Sequence, residues 1–183
     1  MYDIKDIIES LIEKENMKIE DIPGIYLYMD QVLSLFSEYF PYNHGEQELT
    51  KTMINNYAKG GIIQPAYKKK YNREHILMIL VTCMLKRELS LSEIKMLVDE
   101  SVENGEEISD GPENRLEVEE IYRRFLDKKS KVDKIAKGHI EDIIDVLKDE
   151  ESSNRMLDVM TLCYCSNILS EAARAIIRGE NDD

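Results

Sequence analysis

A short polar segment in the middle of the chain carries side chains that can bind nucleic acid. Hydroxyl, amide and ammonium groups follow one another over ten residues, from Thr50 to Lys59. Such groups bond phosphate oxygens and base edges, and Asn is suited to the edge of adenine. The candidate nucleic-acid contacts here are Thr50, Lys51, Thr52, Asn55, Asn56 and Lys59. As an alternative, the two Asn are only the polar surface of a short helix.

Three consecutive lysines follow this segment. Residues 62–71 contain a Pro, are too short for a helix and alternate loosely in polarity, which predicts a small two-stranded ribbon. Lys68, Lys69 and Lys70 would lie at its tip, where exposed cations grip the DNA backbone beside a helix of the width of the major groove. Alone, the lysines also fit an ordinary solvated hairpin tip. With the polar helix before them and Arg73 after them, they predict a phosphate clamp.

Helix signals on both sides position these residues. Thr50 can cap a helix from Lys51 to about Lys59, which ends at a Gly pair, and a helix from about Tyr28 to Tyr39 precedes it. Asn72 can cap an apolar helix from Arg73 to about Glu88. Residues 90–93 form a capping box that starts the next helix. The segment therefore predicts helix, loop, helix, ribbon, helix, turn and helix.

The flanking regions are also predicted to be helical. Tyr2–Glu15 has amphipathic spacing, and apolar residues recur every three or four positions from Val118 to Leu147, as one long helix or two broken near Lys128–Lys131. A last helix, about Arg155 to Arg178, is apolar over most of its circumference. Such a helix is buried inside the monomer or against another subunit. The fold class is therefore mainly α with a small two-stranded wing.

The order of these segments predicts four parts. They are an N-terminal helix and linker (1–24), a winged helix-turn-helix (25–98), an acidic connector (99–112) and a helical dimerisation segment (113–178). The connector is the best place to divide the chain, because residues 99–120 hold ten acids and one base.

The charge distribution favours one basic island on an acidic body. The net charge is −13, which opposes a protein coated in positive charge. Residues 47–87, however, hold eight Lys and Arg against two Glu, a balance of +6 that leaves −19 for the rest. Only this island can dock on DNA, so the binding is expected to depend strongly on salt.

Other chemistries lack the residues that they need. Cys163 and Cys165 lie two apart on a helix, so they point about 200° away from each other and cannot chelate one ion. The three His are scattered, and no nucleophile triad or phosphate-cradling Gly-rich loop is present. We therefore expect no enzyme activity, metal or cofactor. No apolar run reaches the roughly 20 residues of a membrane span, and the polar start favours a cytoplasmic protein without a membrane partner.

Two family resemblances add to this interpretation. Leu49–Pro65, with its capped helix, Tyr, Gly, two aliphatic residues and Pro, resembles the recognition-helix stretch of MerR-type regulators. Residues 71–80 and 89–95 are similar to the starts of that family's third and fourth helices. Residues 27–32, 52–57 and 69–75 look like an uncharacterised bacterial family, domain of unknown function 1836. These resemblances imply a MerR-like winged helix and a transcription-regulator role, with no assigned effector.

The resulting hypothesis is a homodimeric regulator that binds duplex DNA through the helix and the basic wing. A small-molecule effector site in the C-terminal part fits this hypothesis, but the sequence names no ligand. The alternative is a protein-interaction module that keeps the winged helix without binding DNA. The net charge and Asn55, which stands where MerR proteins commonly have Arg, favour that alternative.

Overall fold

The protein is described by a computed structural model over residues 4–103, 118–147 and 155–179. This part of the chain is mainly helical and holds one two-stranded antiparallel sheet. The elements are α1 (Ile4–Ile12), a 3₁₀ helix (Ile19–Asp21), β1 (Leu27–Tyr28), α2 (Met29–Tyr39), α3 (Lys51–Lys59), β2 (Lys70–Tyr71), α4 (Arg73–Leu85), α5 (Leu91–Glu103), α6 (Val118–Leu147) and α7 (Arg155–Arg178). The predicted mainly α class is therefore confirmed.

The chain divides into two compact units. One is Glu15–Phe125, and the other comprises Met1–Lys14 and Leu126–Asp183. Every buried apolar side chain among the described residues belongs to the first unit, between Met17 and Tyr122. The predicted limits of the four segments stay a prediction, because residues 104–112 of the acidic connector lie outside the described ranges.

Helix α4 lies at the centre of the core of the first unit. Its apolar residues surround most of its circumference, so no single face can be left to water. Burying one large apolar side chain contributes roughly 1.5–3 kcal/mol, which makes this helix a major source of stability. Its buried apolar residues are Ile76, Leu77, Ile79, Leu80 and Cys83.

The three predicted helix starts are confirmed by their capping hydrogen bonds. The amide of Met53 donates to Thr50 Oγ1 at 3.2 Å at the start of α3. Asn72 Oδ1 accepts from the amide of His75 at 3.0 Å at the start of α4. The amide of Ser90 donates to the Glu93 carboxylate at 2.7 Å before α5. Each bond satisfies an amide at a helix start, where the backbone offers no acceptor.

The sheet is present, but only one of its strands, β2, lies in the predicted ribbon of residues 62–71. β2 pairs with β1, with Leu27 opposite Tyr71 and Tyr28 opposite Lys70, rather than with another part of that ribbon. Ile62 and Ile63 are buried instead. The local pattern of residues 62–71 correctly predicted an extended segment with a turn. It could not predict that the partner strand, β1, lies more than forty residues earlier in the chain.

Several helix limits differ from the prediction. α4 ends at Leu85 rather than near Glu88, because the chain turns there and the amide of Glu88 donates to the carbonyl of Leu85 at 3.1 Å. α5 continues to Glu103, so the first residues of the predicted connector are helical. α6 is one uninterrupted helix, the first of the two predicted alternatives, and the limits of α7 are as predicted.

The apolar surface of α7 is exposed within its own unit. Met156, Leu169 and Ile176 are 72%, 73% and 79% exposed. The other residues of that unit therefore do not bury this helix, and its burial against another surface stays a prediction. No helix in the described ranges is long and apolar enough to cross a membrane.

Candidate nucleic-acid interface

Helix α3 presents one buried and one exposed side. Ile54 and Tyr57 are 0% and 1% exposed, so they fix the helix against the core. All the polar candidates from Lys51 to Lys59 are exposed. At 3.6 residues per turn, their positions fall within an arc of about 140°. The helix therefore gathers on one solvent-facing side the residues Lys51, Thr52, Asn55, Asn56 and Lys59.

Thr50 has a different position from the other candidates. Its hydroxyl accepts the amide of Met53, and the residue is only partly exposed. It holds the first turn of α3 in place, so its main contribution to the candidate surface is to orient the residues that follow.

A tight turn ends α3 and leads towards the lysines. Gly61 has a φ of +70°, a left-handed conformation that favours glycine. The amide of Ile62 returns to the carbonyl of Tyr57 at 3.0 Å. Because Ile62 and Ile63 are also buried, the segment after α3 is anchored to the core. The segment that joins α3 to the three lysines is therefore held in one position by its contacts with the core.

The three lysines lie in a tight turn between Tyr67 and Tyr71. The amide of Lys70 donates to the carbonyl of Tyr67 at 2.9 Å, and the two residues form an isolated β-bridge. Lys68 and Lys69 have φ values of +50° and +65°, the signs found in a type I′ turn. Non-glycine residues rarely adopt this conformation. The turn therefore holds two lysines where Asn and Gly would be less strained.

Two exposed tyrosines stand beside the lysine turn. The Lys68 ammonium lies 5.2 Å from the centre of the Tyr67 ring, and that of Lys70 lies 5.4 Å from the centre of the Tyr28 ring. Lys68 and Lys69 are exposed, whereas Lys70 is half-buried. The aromatic rings limit the directions that these side chains take but leave the charges uncancelled.

The pairing of charges sets the candidate lysines apart. In the part of the chain that the structure describes, Lys51, Lys59, Lys68, Lys69 and Lys70 form no ion pair with an acid. Arginines of the same unit do: Arg87 pairs with Glu46 at 2.9 Å, and Arg123 pairs with Glu119 at 2.9 Å. An acidic protein thus keeps a group of uncompensated cations on α3 and the lysine turn.

Arg73 has a structural position that differs from the predicted one. Its guanidinium donates to Glu119 Oε2 at 2.8 Å, to the carbonyl of Ile19 at 2.9 Å and to the carbonyl of Ile22. A guanidinium with these three acceptors is not available to clamp a phosphate. We therefore leave Arg73 out of the candidate surface and assign it to holding the unit together.

Lys95 is a neighbour of α3 that the sequence did not single out. Its Cε lies 3.0 Å from the place that a side-chain carbon on Gly61 would occupy. It also forms an ion pair with Asp99. Only the proximity of α5 to the end of α3 reveals this lysine, because in the sequence it is 34 residues from Gly61.

Among the residues that the structure describes, the cysteines and histidines form no comparable group. Cys83 is buried in α4, and burial raises the pKa of its thiol to about 12, while Cys163 and Cys165 are exposed on α7. Within the described ranges, no three His, Cys, Asp or Glu side chains are placed to hold a metal ion.

Comparison with known proteins places the compact unit in a family. A family model described as Domain of unknown function (DUF1836) matches residues 17–125. This range nearly coincides with the unit Glu15–Phe125, which holds α3, the lysine turn and the Arg73 contacts. No curated protein and no solved structure matches the chain.

Proposed function

The chain belongs to the DUF1836 family, and on this premise we propose that residues 15–125 bind duplex DNA as a transcription regulator. In this proposal α3 enters the major groove, and Lys68 and Lys69 contact the phosphate backbone beside it. An α-helix fits the width of the major groove, and Asn55 and Asn56 can read the adenine edge there. The unpaired lysines supply the attraction that every sequence shares.

The uncompensated charge of five lysines carries this proposal. An exposed ammonium with no acid beside it attracts a phosphate at the full strength that the solvent allows. Acids in the rest of the chain repel DNA, so the attraction is confined to α3 and the lysine turn. Among the described residues no acid neutralises these five ammonium groups on a protein of net charge −13. Those of Lys68 and Lys70 lie over the rings of Tyr67 and Tyr28, which leave their charges in place.

The MerR-like winged helix-turn-helix is the finer form of the proposal. The order of α2, α3, β2, α4 and α5 supports it, as does the small sheet beside α4. The eleven residues between α2 and α3 make a longer connection than the tight turn of that family. The half-site geometry therefore does not follow from the resemblance.

We also propose that the protein acts as a homodimer through its second unit. Helix α7 exposes apolar residues, and no described residue of that unit buries an apolar side chain. A helix with apolar residues on most sides is stable only when another surface covers it. A second copy offers the same apolar surface, and a two-fold dimer matches two half-sites in DNA.

The exposed surface of α7 equally favours the second candidate, a protein-interaction module. In that case the apolar residues of α7 contact a different protein, and the lysines of α3 and the turn meet an acidic partner instead of DNA. The two candidates differ in one respect that can be measured. Only a DNA-binding protein retains DNA fragments at low salt and prefers some sequences over others.

Selection of genomic fragments tests the proposed function. Purified full-length protein is mixed with sheared genomic DNA at low salt, and the retained fragments are sequenced. We expect retention with a shared motif, a loss of the motif in Asn55→Ala/Asn56→Ala, and continued non-specific retention by that variant. The matched control is Gln64→Ala, an exposed amide outside α3. No retention by the wild type contradicts DNA binding and favours the interaction module.

A further inference from the structure

The small sheet has one face in the core and one face in solvent. Leu27 and Tyr71 stand opposite each other, and both are buried. Tyr28 and Lys70 form the neighbouring pair. Because successive side chains of a strand point to opposite faces, Tyr28 and Lys70 point away from the core. The outer face of the sheet therefore carries an aromatic ring and a cation side by side.

A second tyrosine joins this outer face from the lysine turn. Tyr67 forms an antiparallel bridge with Lys70, so the two side chains lie on the same face of the sheet. Lys70 thus stands between Tyr28 and Tyr67, which are 50% and 67% exposed. The two tyrosines are about two strand spacings, or roughly 10 Å, apart. We name the surface formed by Tyr28, Tyr67, Lys68 and Lys70 the tyrosine face.

Each ring of the tyrosine face has an ammonium group beside it. Lys68 Nζ lies 5.2 Å from the centre of the Tyr67 ring, and Lys70 Nζ lies 5.4 Å from the centre of the Tyr28 ring. An ammonium at this distance is attracted to the face of the ring, which restricts the motion of both groups. A planar group can stack on the exposed part of a ring while an anion joined to it reaches the exposed Lys68.

Further exposed side chains and a strained backbone adjoin the tyrosine face. Ile25 and Tyr26 immediately precede β1, and both are exposed. Neighbouring apolar side chains on a surface mark a binding site more often than isolated ones do. Lys68 and Lys69 have positive φ, and backbone strain of this kind is typical of functional sites. Both features therefore favour a binding role for this face.

A nucleotide with an unpaired base has the two groups that the tyrosine face fits. Its base stacks on an aromatic ring, and its phosphate attracts an ammonium group. In a duplex the faces of the bases are covered by their neighbours, so only the lysines find a partner there. The exposed rings therefore favour a strand whose bases are unpaired.

An anionic membrane surface also attracts tyrosines and lysines. Peripheral binding to a membrane depends, however, on a large apolar surface that enters the acyl boundary. Among the described residues 25–28 and 67–71, Ile25 is the one exposed aliphatic side chain. The tyrosine face thus offers rings for stacking rather than an aliphatic surface for insertion.

We propose that the tyrosine face binds single-stranded DNA. One unpaired base stacks on Tyr28 and another on Tyr67, and Lys68 and Lys69 contact the adjoining phosphates. The choice of DNA rests on the proposed function, with which this face shares the two lysines, whereas the stacking rests on the rings. The protein can thereby distinguish DNA with separated strands from duplex DNA.

Binding of two matched strands tests the stacking directly. A labelled thymidylate strand offers phosphates and unpaired bases, and a strand of abasic sites offers the same phosphates without bases. By fluorescence anisotropy with full-length protein, we expect the thymidylate strand to bind at least about 25-fold more tightly, or about fivefold for each stacked base. The salt slopes of the two strands should be equal, because their phosphates are the same. Equal affinity for the two strands overturns the inference.

Substitutions that remove the rings and keep the lysines give the second test. Tyr28→Leu/Tyr67→Leu should lower the affinity for the thymidylate strand at least about 25-fold without changing the salt slope. Tyr28→Phe/Tyr67→Phe keeps both rings and should bind like the wild type. The matched control is Tyr39→Leu, because Tyr39 is an exposed tyrosine at the far end of α2. Unchanged affinity in the folded double Leu variant overturns the inference.

A fluorescent reporter shows whether a base reaches the ring at position 67. The chain has no tryptophan, so Tyr67→Trp introduces a single indole on the tyrosine face. A stacked thymine quenches indole fluorescence, so the thymidylate strand should cause saturable quenching and the abasic strand none. Absence of quenching when the thymidylate strand is saturating contradicts stacking. Binding to phosphatidylserine vesicles that is lost in Tyr28→Leu/Tyr67→Leu would assign the face to a membrane instead and overturn the inference.

A duplex arm separates this inference from the proposed function. If the thymidylate strand binds through the rings but no duplex is retained, the tyrosine face stands and duplex binding by α3 fails. If duplexes with a shared motif bind but the thymidylate strand binds no better than the abasic strand, the inference is overturned and the proposed function stands. Absence of binding to every DNA overturns both.

Discussion

Arg73 and Glu119 form an ion pair of 2.8 Å between the start of α4 and the start of α6. The same guanidinium donates to the carbonyls of Ile19 and Ile22, so one side chain joins three segments that are far apart in the sequence. Tyr122 adds a second link by donating to the carbonyl of Met17 at 2.7 Å. These contacts explain why the compact unit includes both the segment before β1 and the start of α6.

Loss of the Glu119 carboxylate should destabilise this unit. Glu119→Gln removes a charged acceptor from Arg73, and we expect the free energy of unfolding at pH 7 to fall by about 1–2 kcal/mol. Urea denaturation followed by circular dichroism measures the change. The control is Glu120→Gln, because the ion pairs of Glu120 with described residues lie within α6, with Arg123 and Arg124. An equal loss in both variants would show that the link to Arg73 is not the cause.

The contribution of Glu119 should also depend on pH. The hydrogen bond from Arg73 is the largest of the effects that lower the pKa of Glu119 in the folded protein. The stabilisation is therefore present above the unfolded pKa of about 4.3 and is lost as the pH falls through the lower folded pKa. We expect the difference in stability between wild type and Glu119→Gln to shrink below about pH 4. A difference that stays constant down to pH 3 would contradict this assignment.

The lysine turn should be stabilised by residues that prefer its backbone conformation. Lys68 and Lys69 both have positive φ, which costs an L-residue about 1–2 kcal/mol. Lys68→Asn/Lys69→Gly matches the preferred type I′ sequence. We expect a gain of about 1–2 kcal/mol in the free energy of unfolding, together with weaker DNA binding. Urea denaturation and fluorescence anisotropy with labelled DNA measure the two effects.

A charge-preserving variant separates backbone from charge. Lys68→Arg/Lys69→Arg keeps both cations and both side-chain β-carbons, so it should change neither stability nor DNA affinity by much. If the Asn-Gly variant is more stable but binds DNA as well as the wild type, the turn is not the phosphate contact.

Two tyrosines of the compact unit, Tyr42 and Tyr57, should respond oppositely to loss of the hydroxyl. Tyr57 Oη has no hydrogen-bond partner among the described residues, whereas Tyr42 Oη accepts the amide of Leu49. Tyr57→Phe should raise the free energy of unfolding by about 1 kcal/mol, and Tyr42→Phe should lower it by a similar amount. Thermal and urea denaturation of the two variants give the comparison. A loss of stability in Tyr57→Phe would indicate that Tyr57 Oη forms a hydrogen bond that is absent from this structure.

Gly61 should tolerate a side chain poorly. Its φ of +70° and the Lys95 side chain 3.0 Å from the position of an added Cβ both oppose alanine. We expect Gly61→Ala to lower the free energy of unfolding by about 1–2 kcal/mol. Gly24→Ala is the control, because no atom lies within 4 Å of its added Cβ and its φ is not positive. Equal effects of the two substitutions would show that the turn after α3 does not require glycine at position 61.

Local signals in the sequence predicted most of the helices of the first unit. Caps such as Thr50 and Asn72 and the glycines after α3 act within four residues, so the chain itself reveals them. The lysine turn was also visible as a short, basic, non-helical segment. These features depend on neighbouring residues, and they located α3 and the lysines correctly.

Contacts between distant residues escaped prediction. The pairing of β1 with β2, the three acceptors of Arg73 and the approach of Lys95 to Gly61 join positions separated by 34 residues or more. Nothing in the local pattern of Arg73 distinguishes a structural guanidinium from one that binds phosphate.

The salt dependence of DNA binding tests the central claim most directly. Affinity for a labelled duplex is measured by fluorescence anisotropy over a salt series for the wild type and for Lys68→Gln/Lys69→Gln. Each lost phosphate contact reduces the slope of log affinity against log salt by about 0.9, so we expect the variant slope to be flatter by about 1.8 on any sequence. No binding by the wild type at low salt, or the same slope in both proteins, would contradict the assignment of these lysines to DNA.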